Sequence, residues 1–164
     1  VGWKVDWRRF RQFLKEEYGV TKAFTFIGYM PENEQLYEYM HSLGYLVVLK
    51  PTLEINSPPP KDDDQPVKPG ARDPKDKSLI KGNVDTEVVL TAMKEINNYS
   101  KAIIVSADGD YYSLIEYLVS KNKLLHVLTP SWQYSTLLKE FERYIVNLDK
   151  YKLTLSYRQN KRKR

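Results

Sequence analysis

Short, nearly continuous apolar runs alternate along this chain with segments of helical period. The strand-like runs are Ala23 to Tyr29, Tyr45 to Leu49, Ala102 to Ser106 and Leu124 to Leu128. Their lack of polar alternation is what strands covered on both faces require. Apolar positions recurring every three or four residues predict helices at about Asp6 to Tyr18, Glu32 to Leu43, Val84 to Asn97, Tyr111 to Lys121 and Tyr134 to Asn147. Lys152 to Tyr157 alternates and reads as an edge strand. Strands and helices taken in turn predict an α/β domain of three layers, a mostly parallel sheet flanked by helices.

The stretch from Pro51 to Ile80 breaks this rhythm. It holds seven of the nine prolines, with the runs Pro58-Pro59-Pro60 and Asp62-Asp63-Asp64. Such a composition supplies little apolar burial to order itself, so an irregular loop over 51–80 is expected. The three adjacent aspartates do not make a metal site, because neighbouring side chains of an extended chain point in alternating directions.

Composition narrows the chemistry. At 164 residues and 41% hydrophobic content the chain can bury one substantial core, and we expect one domain over 1–157 followed by a basic tail at 158–164. The tail holds five basic residues, as many as the net charge of +5, so the domain without it is close to neutral. Such an end attracts a polyanion by counterion release, or serves as a solvated terminus. Cysteine is absent, which excludes disulfides, thiolate nucleophiles and cysteine-held zinc. Any metal is held by oxygen or histidine. No run approaches the 18 or so apolar residues of a membrane span, and the first residues given do not show a basic segment followed by an apolar signal core. A soluble, cytoplasmic protein without a membrane partner is expected, and nothing indicates a homo-oligomer.

Ligands of open α/β sheets collect beyond the carboxyl ends of the strands, which directs attention to Asp108 and Asp110. The run Lys101-Ala-Ile-Ile-Val-Ser-Ala-Asp-Gly-Asp-Tyr-Tyr places a buried strand, a tight turn at Gly109 and then a helix. A helix cap accounts for one of these aspartates but hardly for both. Asp85 is the second signal. Val88, Val89, Ala92, Met93 and Ile96 follow it at helical spacing and form an inward face, so Asp85 points inward at the first turn, while Glu87 shares the solvated face with Thr91, Lys94 and Glu95. Three inward acids at one sheet end would repel one another unless cations neutralise them, and all-oxygen coordination favours Mg²⁺ or Mn²⁺. Lys81 and Gly82 precede this helix and offer a cation to a phosphate, although a lysine beside a turn glycine is equally ordinary. His126 reads as a core imidazole with one satisfied hydrogen bond, and His41 lies on a polar helix flank. Most of the 13 tyrosines fall at helical spacing, which suits packing better than base stacking.

Taken together, Lys81-Gly-Asn-Val-Asp85-Thr-Glu and Val105-Ser-Ala-Asp108-Gly-Asp110-Tyr-Tyr closely resemble the paired signatures of NYN domains, PIN-like ribonucleases. Phe26-Ile-Gly-Tyr, Gly44-Tyr, Lys50-Pro51 and Tyr134-Ser135-Thr-Leu-Leu extend the resemblance over nearly the whole chain. It implies a PIN-like (Rossmannoid) fold, metal-binding and catalytic roles for Asp85, Asp108 and Asp110, and supporting roles for Ser106, which orients an acid, and Ser135. Tyr111 stands where the family usually has phenylalanine, a conservative exchange. The family's first strand ends in a further metal-binding aspartate; no such strand precedes Val1 in this sequence, and we expect it upstream. The expected activity is Mg²⁺- or Mn²⁺-dependent endoribonuclease cleavage, with RNA, single-stranded, as partner. The competing reading is a non-catalytic RNA-binding or protein-interaction module that keeps the fold. Asp6 does not replace the family's aspartate, since it reads as the N-cap of the first helix.

Overall fold

The computed structural model describes residues 2–51, 53–54, 80–81 and 84–157. Helix α1, Trp7–Tyr18, starts where the Asp6 carboxylate accepts the amide hydrogens of Arg8 and Arg9 at 3.1 and 3.2 Å. It stops at Gly19, whose φ of 66° is cheap only for glycine. Phe10, Phe13 and Leu14 form its buried stripe. Strand β1, Ala23–Gly28, helix α2, Glu34–Ser42, and strand β2, Tyr45–Lys50, make a parallel βαβ unit in which Ala23 pairs with Tyr45 and Gly28 with Lys50. Two short strands, β3 at Leu53–Glu54 and β4 at Ile80–Lys81, pair antiparallel at the base of the expected loop; residues 55–79, with their proline and aspartate runs, lie outside the described residues. Helix α3, Asp85–Lys94, leads to β5, Ala102–Val105, helix α4, Tyr112–Ser120, and β6, Leu124–Thr129. Strand β7, Ile145–Asn147, and a final short helix α5, Lys152–Leu155, complete the order.

Strands β5, β6 and β7 form a second parallel sheet in that order. Its faces are packed alternately, as the pleat dictates. Ile103 and Leu128 meet α1, and Ile104 and Val127 meet Leu114, Ile115 and Leu118 of α4 and the inner side of α3. Tyr45 of β2 touches the ring of Trp7, and its hydroxyl donates to the Trp7 carbonyl, so α1 also covers the first sheet, beside α2. Helices α1 and α2 thus lie on one face and α3 and α4 on the other, the expected three layers.

Two ion pairs fix the relative direction of the sheets. Lys22, ahead of β1, pairs with Glu95 past the end of α3 at 3.8 Å, and Lys50, ending β2, pairs with Glu87 in the first turn of α3 at 3.4 Å. Helix α3 is therefore antiparallel to β1 and β2. It is antiparallel to β5 as well, because Tyr111, just beyond β5, bonds to Asp85 at the start of α3. Strands β1, β2, β5, β6 and β7 all point one way. Helix α2 connects the parallel strands β1 and β2, and α4 connects the parallel strands β5 and β6. The run Ala102 to Ser106, expected as a central strand, is instead an edge strand among the described residues: β5 pairs with β6 alone, and β6 is the middle strand of its sheet.

Three further expectations need correction. Tyr134 to Asn147 is not one α-helix: Thr136–Tyr144 is 3-10, with a kink at Phe141, and Ile145–Asn147 is a strand. Leu138, Phe141 and Tyr144 recur every third residue, the period of the tighter helix. Lys152 to Tyr157 is not an edge strand. Leu148, Tyr151 and Leu155 recur at helical spacing and pack on Phe10, Phe13 and Leu14 across a 3-10 turn and α5, while Ser156 keeps a lone antiparallel bridge to Val5. Val89, placed on the inward face of α3, is exposed, whereas Val88, Ala92, Met93 and Ile96 are packed. His126 behaves as read: its Nδ1 lies 3.3 Å from the Tyr144 carbonyl oxygen, and its ring leans on Tyr18. No helix among the described residues is long and apolar enough to cross a membrane.

Candidate metal centre

Beyond the carboxyl end of β5 the chain makes a tight turn held by its own side chains. The Ser106 Oγ accepts the Asp108 amide hydrogen at 3.0 Å, and the Asp108 carboxylate accepts that of Asp110 at 3.0 Å. Asp108 is therefore the cap of the 3-10 turn Gly109–Tyr111 that opens α4, while Asp110 has no capping duty. Ser106 acts through the backbone of the turn rather than on a carboxylate. Gly109 is buried, and a Cβ there would overlap the Ser135 hydroxyl and come 2.9 Å from Leu137 Cδ1. Glycine is needed here for that close approach, not for an unusual φ. The Ser135 amide donates to the Ala107 carbonyl at 2.9 Å, and its hydroxyl accepts from the Leu137 amide, so Ser135 fastens the loop after β6 to the aspartate turn.

Asp85 reaches the same point from α3. Its carboxylate accepts a hydrogen bond from the Tyr111 hydroxyl. Burial, and then the bond to Asp85 and the charges of Asp108 and Asp110, push the Tyr111 phenol above its ordinary range, so it remains a donor. The exchange of phenylalanine for tyrosine is thus not silent, because the hydroxyl orients one of the three acids. Asp85 is half-buried, as its place on the helical wheel predicts, but Asp108 and Asp110, expected to point inward, are exposed, because they lie on the turn beyond the strand end rather than on a packed helix face. Glu87 is not simply solvated: it closes the half-buried pair with Lys50. The backbone of Lys81 pairs with Leu53, four residues ahead of Asp85; its side chain lies outside the described atoms.

One oxygen from each of Asp85, Asp108 and Asp110 lies within 4.8 Å of the others. The donor set suits a hard divalent cation, whose oxygen ligands at about 2.1 Å stand roughly 3 to 4 Å apart. Small rotations of the two exposed side chains, or a water between, close the difference. Fold and site together define an α/β domain with an all-carboxylate centre at the carboxyl end of its parallel strands.

The chain belongs to the NYN domain family, which it matches over residues 1–149, a family of PIN-like nucleases. Among solved structures it resembles a protein of unknown function from Vibrio parahaemolyticus, with a TM-score of 0.64 and 22% identity over 90% of this chain and 80% of that one. That likeness supports the fold. No curated protein matches the sequence significantly.

Two features of this end of the sheet are faint in the sequence: the Tyr111 hydroxyl, signalled only by the departure from phenylalanine, and the loop Pro130-Ser-Trp-Gln-Tyr134, signalled by a tryptophan just after an apolar strand.

Proposed function

We propose that this protein is an endoribonuclease that hydrolyses RNA phosphodiester bonds with the aid of Mg²⁺ or Mn²⁺. The observation that carries the reading is the convergence of Asp85, Asp108 and Asp110 at the sheet's carboxyl end. A divalent cation bound there supplies an activated water and neutralises charge on the phosphate oxygens. The chain's own residues do the placing. Tyr111 fixes the Asp85 carboxylate, the Asp108 cap fixes the turn, and Ser106 and Ser135 hold that turn against β5 and the following loop. The exposure of Asp108 and Asp110 leaves the centre open to an extended single strand. We assign Lys81 to a phosphate and the tail at 158–164 to salt-sensitive affinity.

The test is cleavage of labelled single-stranded and duplex RNA with and without Mg²⁺ or Mn²⁺, comparing the natural protein with Asp108→Asn. Asparagine keeps the capping oxygen and the volume but removes the charge. We expect Asp108→Asn to lower cleavage by at least about 1,000-fold, or roughly 4 kcal/mol of transition-state stabilisation, with folding intact. Unchanged cleavage by Asp108→Asn at saturating Mg²⁺ would remove this residue from the mechanism. RNA binding by the natural protein without cleavage under any of these conditions would favour a non-catalytic module.

A further inference from the structure

A second site lies at the same end of the sheet. Trp132, in the loop after β6, is 64% exposed, unusual for so large an apolar ring, and the Lys150 Nζ sits 5.4 Å from its ring centre. With Tyr134, Glu142, Ile145 and Asn147 they line a cavity of about 220 Å³ beyond the ends of β6 and β7. The floor is built. Asn147 is buried, its amide donates to Thr129 Oγ1 and its carbonyl accepts the Asp149 amide, so that end of β7 is already committed to the protein. Around the rim the ring, the Lys150 ammonium and the Glu142 carboxylate remain at the surface.

We infer that this cavity is a nucleobase subsite of the nuclease, in which one base of a single-stranded RNA stacks on Trp132 with its phosphate on Lys150.

Four observations support that occupant. An exposed indole with a lysine beside it complements what a nucleotide presents, a flat aromatic ring joined to an anion. Glu142 would repel a bare anion but can accept hydrogen bonds from the amino group of a base, which favours a nucleotide over free phosphate. The volume is below the roughly 300–1,000 Å³ of clefts for drug-sized ligands, so it suits one ring system. Finally, Ser135, bonded to the aspartate turn, is three residues from Trp132, so their Cα atoms are at most about 11 Å apart and one strand can span both.

The inference rests on the nuclease reading, yet the two can fail separately. Affinity for a fluorescent single-stranded RNA would be measured in Asp108→Asn, which should hold substrate without cutting it, alone and with Trp132→Ala, Trp132→Phe or Lys150→Ala. A series of RNAs with an abasic residue at successive positions, and a DNA of the same sequence, complete the design. Base–aromatic stacking predicts that Trp132→Ala weakens binding about 5- to 100-fold, and that Trp132→Phe recovers much of this. One abasic position should cost a similar factor in the parent and almost nothing on the Trp132→Ala background, the non-additivity of two groups in contact. Lys150→Ala should flatten the salt dependence. An unaltered affinity and abasic profile in Trp132→Ala, with metal-dependent cleavage intact in the natural protein, overturns the subsite and leaves the nuclease. A Trp132-dependent profile in a protein that never cleaves keeps the subsite and overturns the nuclease. Equal Trp132-dependent binding of the DNA would assign the pocket to single strands of either sugar.

Discussion

Strands β1 and β2 rest on a cluster of three buried residues, Ala23, Met40 and Tyr45, whereas β5, β6 and β7 lie between two larger clusters with Ile115, Leu118, Val127 and Leu128 fully enclosed. The smaller sheet is secured instead by polar reach. Arg11 of α1 donates to the carbonyls of Val20, Thr21 and Gly44, and Lys22 and Lys50 pair with the two ends of α3. Ion pairs still open to solvent, as both of these are, contribute little each, about 0–1 kcal/mol, while an enclosed leucine contributes several times that. The demanding geometry stands on the apolar side: Asp108 and Asp110 follow β5 and open α4, the elements that enclose Ile115 and Leu118. Positioning three like charges needs a frame that does not yield, and the deeper core provides it.

The sharpest way to break this comparison is a pair of cavity mutations. Leu118→Ala is expected to cost about 3–5 kcal/mol in urea unfolding and Met40→Ala nearer 2, because the smaller, shallower cluster collapses around the loss more readily. Hydrogen exchange would localise the difference. Met40→Ala should speed exchange in β1 and β2 while β5 and β6 stay protected; equal loss in both sheets would show one cooperative unit. Gly109→Ala sharpens the contrast at the site. The new methyl must displace Ser135 or Leu137, at about 1–3 kcal/mol, and Mn²⁺ affinity should fall with it. Thermal unfolding and a Mn²⁺ titration check both; an unaltered titration would mean that the turn does not set the metal geometry. The smallest effect is expected from Tyr111→Phe, which removes the hydroxyl donated to Asp85 and keeps the packing. Loss of such a supporting partner should weaken Mn²⁺ binding by about tenfold, with little change in thermal stability. Full affinity would show that Asp85 needs no orienting partner.

How much of this was legible depended on whether a residue's role follows from its own helix or strand. The alternation of apolar runs is local, and it located the four long strands and the inward turn of Asp85. The pairing of β1 with β2 apart from β5, β6 and β7 is not local, since it depends on which ladders form across the sheet. Period three and period two also shared one stretch after Tyr134, where Leu138, Phe141 and Tyr144 followed the 3-10 repeat before Ile145 entered β7. The three acids announced themselves by position beyond a strand or inside a helix face. Tyr111 and Trp132 did not, because an aromatic residue looks alike whether it packs, donates or stacks.

The antiparallel pair of Leu53–Glu54 with Ile80–Lys81 bears on how the gene can change. It draws the two ends of the proline-rich segment together four residues ahead of Asp85, so the acid's helix begins from a closed base. The entropic cost of closing such a segment grows only with the logarithm of its length, about 0.6 kcal/mol for each doubling. Insertions and deletions between Glu54 and Ile80 therefore act far from the aspartates in free energy, though near them in sequence. A change of length in that stretch is expected to cost the fold little, which urea unfolding of a variant shortened there would check.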